Sequence, residues 1–145
     1  MSEQNEYMAN SAAVQAHLSI VQSVIQRMAS NSASSKAWCI TLVSAILVIV
    51  ADKSKPDYTW IALIPTFLFL ILDAYYLALE KSFRDSYNLF IDKLHSGKIE
   101  APDLYVVSPE GKIFVQFRKS LISFSVWPFY LTLVVMVWLT RTLVL

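Results

Sequence analysis

Asp73 is the residue whose type and position raise a chemical question first. It closes the apolar run TWIALIPTFLFLIL and opens DAYYLALEKSFRDSYNLF. A carboxylate within a lipid-facing run is costly, so an acid there is a candidate for function by default. Three roles are open to it. It can mark an inner headgroup boundary beside Tyr75 and Tyr76, line a pore or an inter-helix contact, or relay protons. Below it Glu80, Lys81, Arg84 and Asp85, with Lys119 from later in the chain, make a mixed-sign collar. Glu80–Arg84 and Lys81–Asp85 are i, i+4 pairs, each worth roughly a few tenths of a kcal/mol and usually a solvated face. In a pore, neutralising Asp73 or reversing Glu80 is expected to alter conductance.

Other chemistry finds little material. His17 and His95 are far apart and have no partner at metal-ligand spacing. Gly97 and Gly111 are the only glycines, which excludes a glycine-rich phosphate loop. The single cysteine, Cys39, allows neither an internal disulfide nor a thiolate metal cluster, and its apolar neighbours suit a small hydrophobe. No nucleophile, base and orienter form a candidate set. The expectation is a protein that is not an enzyme and needs no cofactor.

The elements that must position Asp73 follow from composition. Charged residues are 16% of 145 and hydrophobic ones 56%, against about 25% charged in a soluble domain. The apolar residues fall in three blocks, and mean hydropathy is +0.50. This argues for an all-α integral membrane protein. The formal net charge of +1 gives no global field for nucleic acid, and none is expected as a partner. No basic region precedes an apolar one in the first 30 residues, so no cleaved signal peptide is read.

The stretch Tyr58 to Leu94 organises the rest. Its first half is apolar all round, and its second half turns amphipathic without a Gly or Pro to stop it. Leu72, Tyr76, Leu79, Phe83, Tyr87, Phe90 and Leu94 recur at helical steps. Such a rod is about 55 Å long against a hydrocarbon core of about 30 Å, so it should cross the bilayer and stand out as a stalk. Pro65 is expected to kink it in mid-span.

Before it come a polar stretch, 1–10, expected to fray, and an amphipathic helix from about 11 to 29. Val14, Leu18, Val21, Ile25 and Met28 form a heptad-like seam. The seam can pack on the chain's own stalk, join subunits or serve a partner, or lie on the membrane. SNSASS (30–35) reads as a polar joint with N-cap candidates Ser34 and Ser35. The first span, 37–51, is short at about 15 residues against the usual 20, with Lys36 and Asp52 extending its ends. Ala37, Thr41 and Ala45 lie on one stripe suited to close span packing.

Residues 52–58 make a turn. After the stalk, Gly97 and Pro102 break the helix. For 104–118 both a hairpin and a helix are open. The helix is favoured, with Ser108 as cap and Ile113, Phe114, Phe117 and Leu121 on its apolar side, as a ramp near the interface. A third span fills 125–144. The organisation is therefore an N-terminal unit, 1–35, and a three-span unit, 36–145, with spans at about 37–52, 58–79 and 125–144 and stalk and ramp at 80–124.

Basic residues orient it. Arg27, Lys36, Lys81, Arg84, Lys93, Lys98, Lys112, Arg118 and Lys119 fall on one side, and Lys53, Lys55 and Arg141 on the other. The positive-inside rule then puts the N-terminus, stalk and ramp in the cytoplasm.

The stretch LDAYYLALEKSFRDSYNLF, with SFSVWPFYLTL before the last span, resembles the small multi-span helical membrane effectors of bacterial antiphage defence, the SLATT-type proteins being the nearest group. The likeness is at fold level and covers residues 11–95. It implies an oligomeric pore-forming or membrane-perturbing effector in the inner membrane, answering a cytosolic protein or signal molecule. The alternative is a non-conducting anchor that recruits a cytosolic partner.

Overall fold

A computed structural model describes residues 9–144. The expected frayed stretch, 1–10, lies outside it as far as residue 8. Helix α1 runs from Ala12 to Asp52 without a break. Ser11 caps its start, its hydroxyl accepting from the Val14 N–H at 3.3 Å. A turn over residues 53–55 and a 3₁₀ segment, Pro56–Ala62, lead into α2, Leu63–His95. A short helix α3, Ile113–Leu121, and a fourth, α4, Trp127–Leu139, complete the chain, α4 ending in a π-type turn, Thr140–Val144. No strand occurs among the described residues.

The architecture is a long antiparallel hairpin of α1 and α2, with α3 and α4 packed against it. Two segments, Ala12–Asp52 and Pro56–His95, are long and apolar enough to cross a membrane, and Trp127–Leu143 is a shorter apolar helix. Two apolar clusters hold the bundle. One joins Cys39, Val43 and Leu47 of α1 to Ala74 and Leu77 of α2 and to Tyr130, Leu133 and Val137 of α4. The other, at the far end, joins Val14 to Phe90 and Leu94.

Residues 30–35 are helix, which corrects the expected joint. Ser and Asn favour caps because their side chains compete locally for backbone groups. Here that competition is absorbed, since Ser35 Oγ donates to the Asn31 carbonyl at 2.9 Å and Ser32 finds a partner on α2. The buried stripe of α1 runs unbroken through the segment: Val14, His17, Val21, Met28, Ser32, Ser35, Cys39, Val43, Leu47 and Val50. One helix thus carries both the amphipathic seam and the first apolar block, and it crosses the boundary drawn at residue 35.

Three further expectations change. Pro65 is the third residue of α2, directly after the 3₁₀ segment, so it lies near the start of the α-helix and not in its middle. The irregularity lies before it, in the 3₁₀ segment. Ser108 does not cap α3; Lys112 precedes its first residue, and Gly111 at φ +77 makes the turn into it. The buried face of α2 is also rotated by about one residue from the expected stripe. Asp73, Ala74, Leu77, Ala78 and Ser82 are buried, and only Phe90 and Leu94 of the expected set are fully so. Gly97, at φ +67, ends α2 as its position suggested.

Candidate functional site

The site is built where the α1 stripe turns from apolar to polar. Ser32 and Lys36 are one helical turn apart on α1, and Asp73 faces them from α2. The Ser32 hydroxyl donates to Asp73 Oδ1. The Lys36 ammonium lies 2.6 Å from Asp73 Oδ2 and 3.4 Å from the Ser32 oxygen. Asp73 is wholly buried, whereas the Lys36 side chain keeps 22% of its surface exposed. The ammonium therefore reaches in from the edge while the carboxylate is sealed.

Neighbouring contacts fix the surroundings. Tyr130 of α4 donates its phenol to the Phe69 carbonyl at 2.9 Å, one turn before Asp73. Thr66 Oγ1 donates to the Ala62 carbonyl at 2.8 Å, and the Cys39 thiol lies 4.0 Å from the Pro65 carbonyl. Below Asp73, Ala74, Ala78 and Ser82 form a stripe of small residues at i, i+4 and i+8. Close approach of helices uses this stripe on α2. The expected one, Ala37, Thr41 and Ala45, is exposed on the outer side of α1.

Lys36 is roughly 24 Å along α1 from Asp52 at 1.5 Å per residue. If the 53–55 turn stands at one bilayer face, the ion pair falls near the inner edge of a core about 30 Å thick. Chemically, the cluster is charge-complete and joins the two long helices. Parting them leaves a carboxylate and an ammonium without partners in an apolar setting, a penalty of several kcal/mol per ion unless water enters.

A second polar junction lies at the far end of the hairpin. His17, only 3% exposed, stacks on Phe90 with ring centroids 4.2 Å apart. Its Nδ1 accepts from the Tyr105 N–H at 3.0 Å, so that nitrogen carries no proton and the ring is neutral. Burial lowers the His17 pKa from 6.5, and Asp103 nearby opposes this in part. Asp103 in turn accepts from Lys93 at 2.7 Å, and that bond, with the one from the Glu100 N–H, holds its carboxyl below the usual range. Tyr105 takes a left-handed φ of +64, a strain of about 1 kcal/mol for a residue with a side chain. A small cleft of about 150 Å³ opens beside His17, Lys93 and Asp103.

The other sequence candidates are placed separately. Glu80 pairs with Arg84 at 2.9 Å on a solvated face, and Asp85 accepts from Gln116 of α3 at 3.0 Å, where a Lys81 pair had been expected. Val14, Val21 and Met28 are buried within the single chain, with Leu18 and Ile25 half-buried. Most of the seam is thus covered within the chain, and Ile25 is left partly open. Among the described residues no group of three or more His, Cys, Asp or Glu side chains could hold a metal ion.

Sequence reasoning missed Ser32, Lys36 and the Tyr105 amide as partners. A signal existed for Ser32 alone, since Ser32, Ser35 and Cys39 continue the spacing of the apolar seam. No family model, curated protein or solved structure matches this chain.

Proposed function

We propose that this chain is a three-span protein of the bacterial inner membrane, N-terminus in the cytoplasm, that assembles as a homo-oligomer. It acts as a pore-forming or membrane-perturbing effector of antiviral defence that responds to a cytosolic signal. Membrane insertion is supported by the apolar windows of the two long helices, of which only 28% and 33% is buried. A core helix of a soluble protein would be mostly covered. The defence role rests on the resemblance of the 72–90 region.

The observation that carries a gated mechanism is the Lys36–Asp73 pair. It latches α1 to α2 near the inner boundary, and the stalk halves of the same two helices extend past it. A signal that spreads the stalk would lever the latch apart, with the 3₁₀ segment before Pro65 as the pivot. The freed charges would then draw water between subunits. On this reading the Asp73 effect has a definite sign. Asp73→Asn weakens the closed state and raises depolarisation, whereas Lys36→Met/Asp73→Leu keeps the bundle shut. Expression of each variant with a potential-sensitive dye tests this. Equal depolarisation by the wild type and both variants would remove the latch from the mechanism.

A second reading, a non-conducting anchor for a cytosolic protein, is favoured by a stalk groove of about 530 Å³ lined by Gln22, Ile25, Gln26, Arg84, Tyr87 and Asn88. Its mark would be an intact membrane potential, together with a co-purifying partner that Ile25→Asp releases.

A further inference from the structure

Helix α3 divides its side chains between two surroundings. Phe117 and Leu121 pack on the main apolar cluster, Ser120 is wholly buried, and Gln116 ties the helix to Asp85 of α2. This fixes which face looks out. That face presents Phe114, 71% exposed, with Arg118 and Ile122, 78% exposed, at successive i+4 positions. Lys119 lies beside them, and the following turn adds Phe124, 86% exposed. A surface this apolar is costly in water. Its charge has one sign, because residues 111–126 hold Lys112, Arg118 and Lys119 and no acid. The acid next in sequence is Glu110, exposed just ahead of the segment, and Asp85 of α2 is occupied with Gln116 on the inner side.

We infer that the outer face of α3 is a docking site for anionic phospholipid, with Arg118 and Lys119 on the headgroup phosphate and Phe114, Ile122 and Phe124 among the first acyl carbons. Two observations choose this occupant. A second copy meeting it face to face would bring the same cationic residues and repel it, so the complement has to be negative as well as apolar. The face also runs on into Trp127 and the apolar α4, which places it at the depth where headgroups meet chains if α4 enters the bilayer. A cleft beside Val115, Arg118, Lys119 and Ile122 gives a headgroup room on the surface. The inference rests on the membrane reading above but not on conductance.

The test uses the full-length protein in uncharged detergent micelles, titrated with phosphatidylglycerol, with bound lipid counted by native mass spectrometry. Phosphatidylcholine and inorganic phosphate are run in parallel. Phosphatidylglycerol should bind tighter than phosphatidylcholine, and free phosphate should not displace it. Each neutralised charge should cost roughly fivefold in affinity, so Arg118→Gln/Lys119→Gln should lose on the order of twenty-five-fold. Lys98→Gln, exposed elsewhere on the same side, should lose little. Both Arg118 and Lys119 are exposed, and an unchanged unfolding temperature would show that the double variant folds. Equal binding of the two lipids, or undiminished binding by the double variant, would overturn the site. So would a change in oligomer mass on neutralisation, which would assign the face to another copy. Quenching of the tryptophans by brominated acyl chains reports insertion separately, so a failed lipid site and a failed membrane reading remain distinguishable.

Discussion

The two polar junctions of the α1–α2 hairpin are built on opposite principles. Near its middle, Asp73 is sealed and answered by a full charge from Lys36. At its far end, His17 is equally buried but neutral, held by a ring contact and one backbone bond from a strained loop. The first junction is hard to part, because separation strands two ions. The second holds no charge, and burial disfavours protonation of its ring. The hairpin therefore combines a charged contact near its middle with a neutral one at its far end.

The sharpest way to break this contrast is Asp73→Asn. It leaves the Lys36 ammonium against a neutral amide in place of a carboxylate, and the cost should approach 3 kcal/mol, moderated by the partial exposure of Lys36. Chemical unfolding in detergent would read it. His17→Ala should have a smaller effect, about 1–2 kcal/mol, from the lost Phe90 contact and the unpaired Tyr105 amide. It should also be local, so that hydrogen exchange speeds up around residues 14–21 and 104–106 and not around residues 39–47.

Acidity should tell the junctions apart without mutation. Burial depresses the His17 pKa below 6.5, so the unfolded chain takes up that proton first as pH falls. The stability given by neutral His17 is complete above that value and is lost as pH drops through the folded pKa. The protection of the Tyr105 amide, corrected for the slower intrinsic exchange of amides in acid, should fall as pH drops below 6.5, and His17→Asn should flatten the response. Asp103, held below 3.8 by Lys93, contributes only to a loss at lower pH. The smallest effect belongs to Glu80→Gln. Arg84 is 60% exposed, and the change should be a few tenths of a kcal/mol in thermal unfolding.

Much of this contrast was legible in the residues, and the rest was not for definite reasons. The rod through Asp73 could be read because nothing between Thr66 and Ser96 breaks a helix. Asp73 itself stood out as an acid closing an apolar run. Its partner did not, because pairing Lys36 with Asp73 needs the register of the 53–62 connection, which local spacing does not encode. The continuity of α1 was hidden by the helix-averse Ser and Asn of residues 30–35, where one hydroxyl is taken up by a carboxylate on another helix and one by the helix's own backbone. His17 could be noticed, but Tyr105 is 88 positions away. The inner face of α2 was displaced because apolar size suggested Tyr76 and Phe83, whereas close packing selected Ala74, Ala78 and Ser82.

The central claim is that Lys36 and Asp73 act as one latch, and a double-mutant cycle on unfolding free energy tests it most directly. Lys36→Met, Asp73→Leu and the double variant would be unfolded in the same micelles. The latch predicts a coupling of about 2 kcal/mol or more, with the double variant more stable than either single one. Additive effects, within about 0.5 kcal/mol, would contradict it and leave the two residues as independent neighbours.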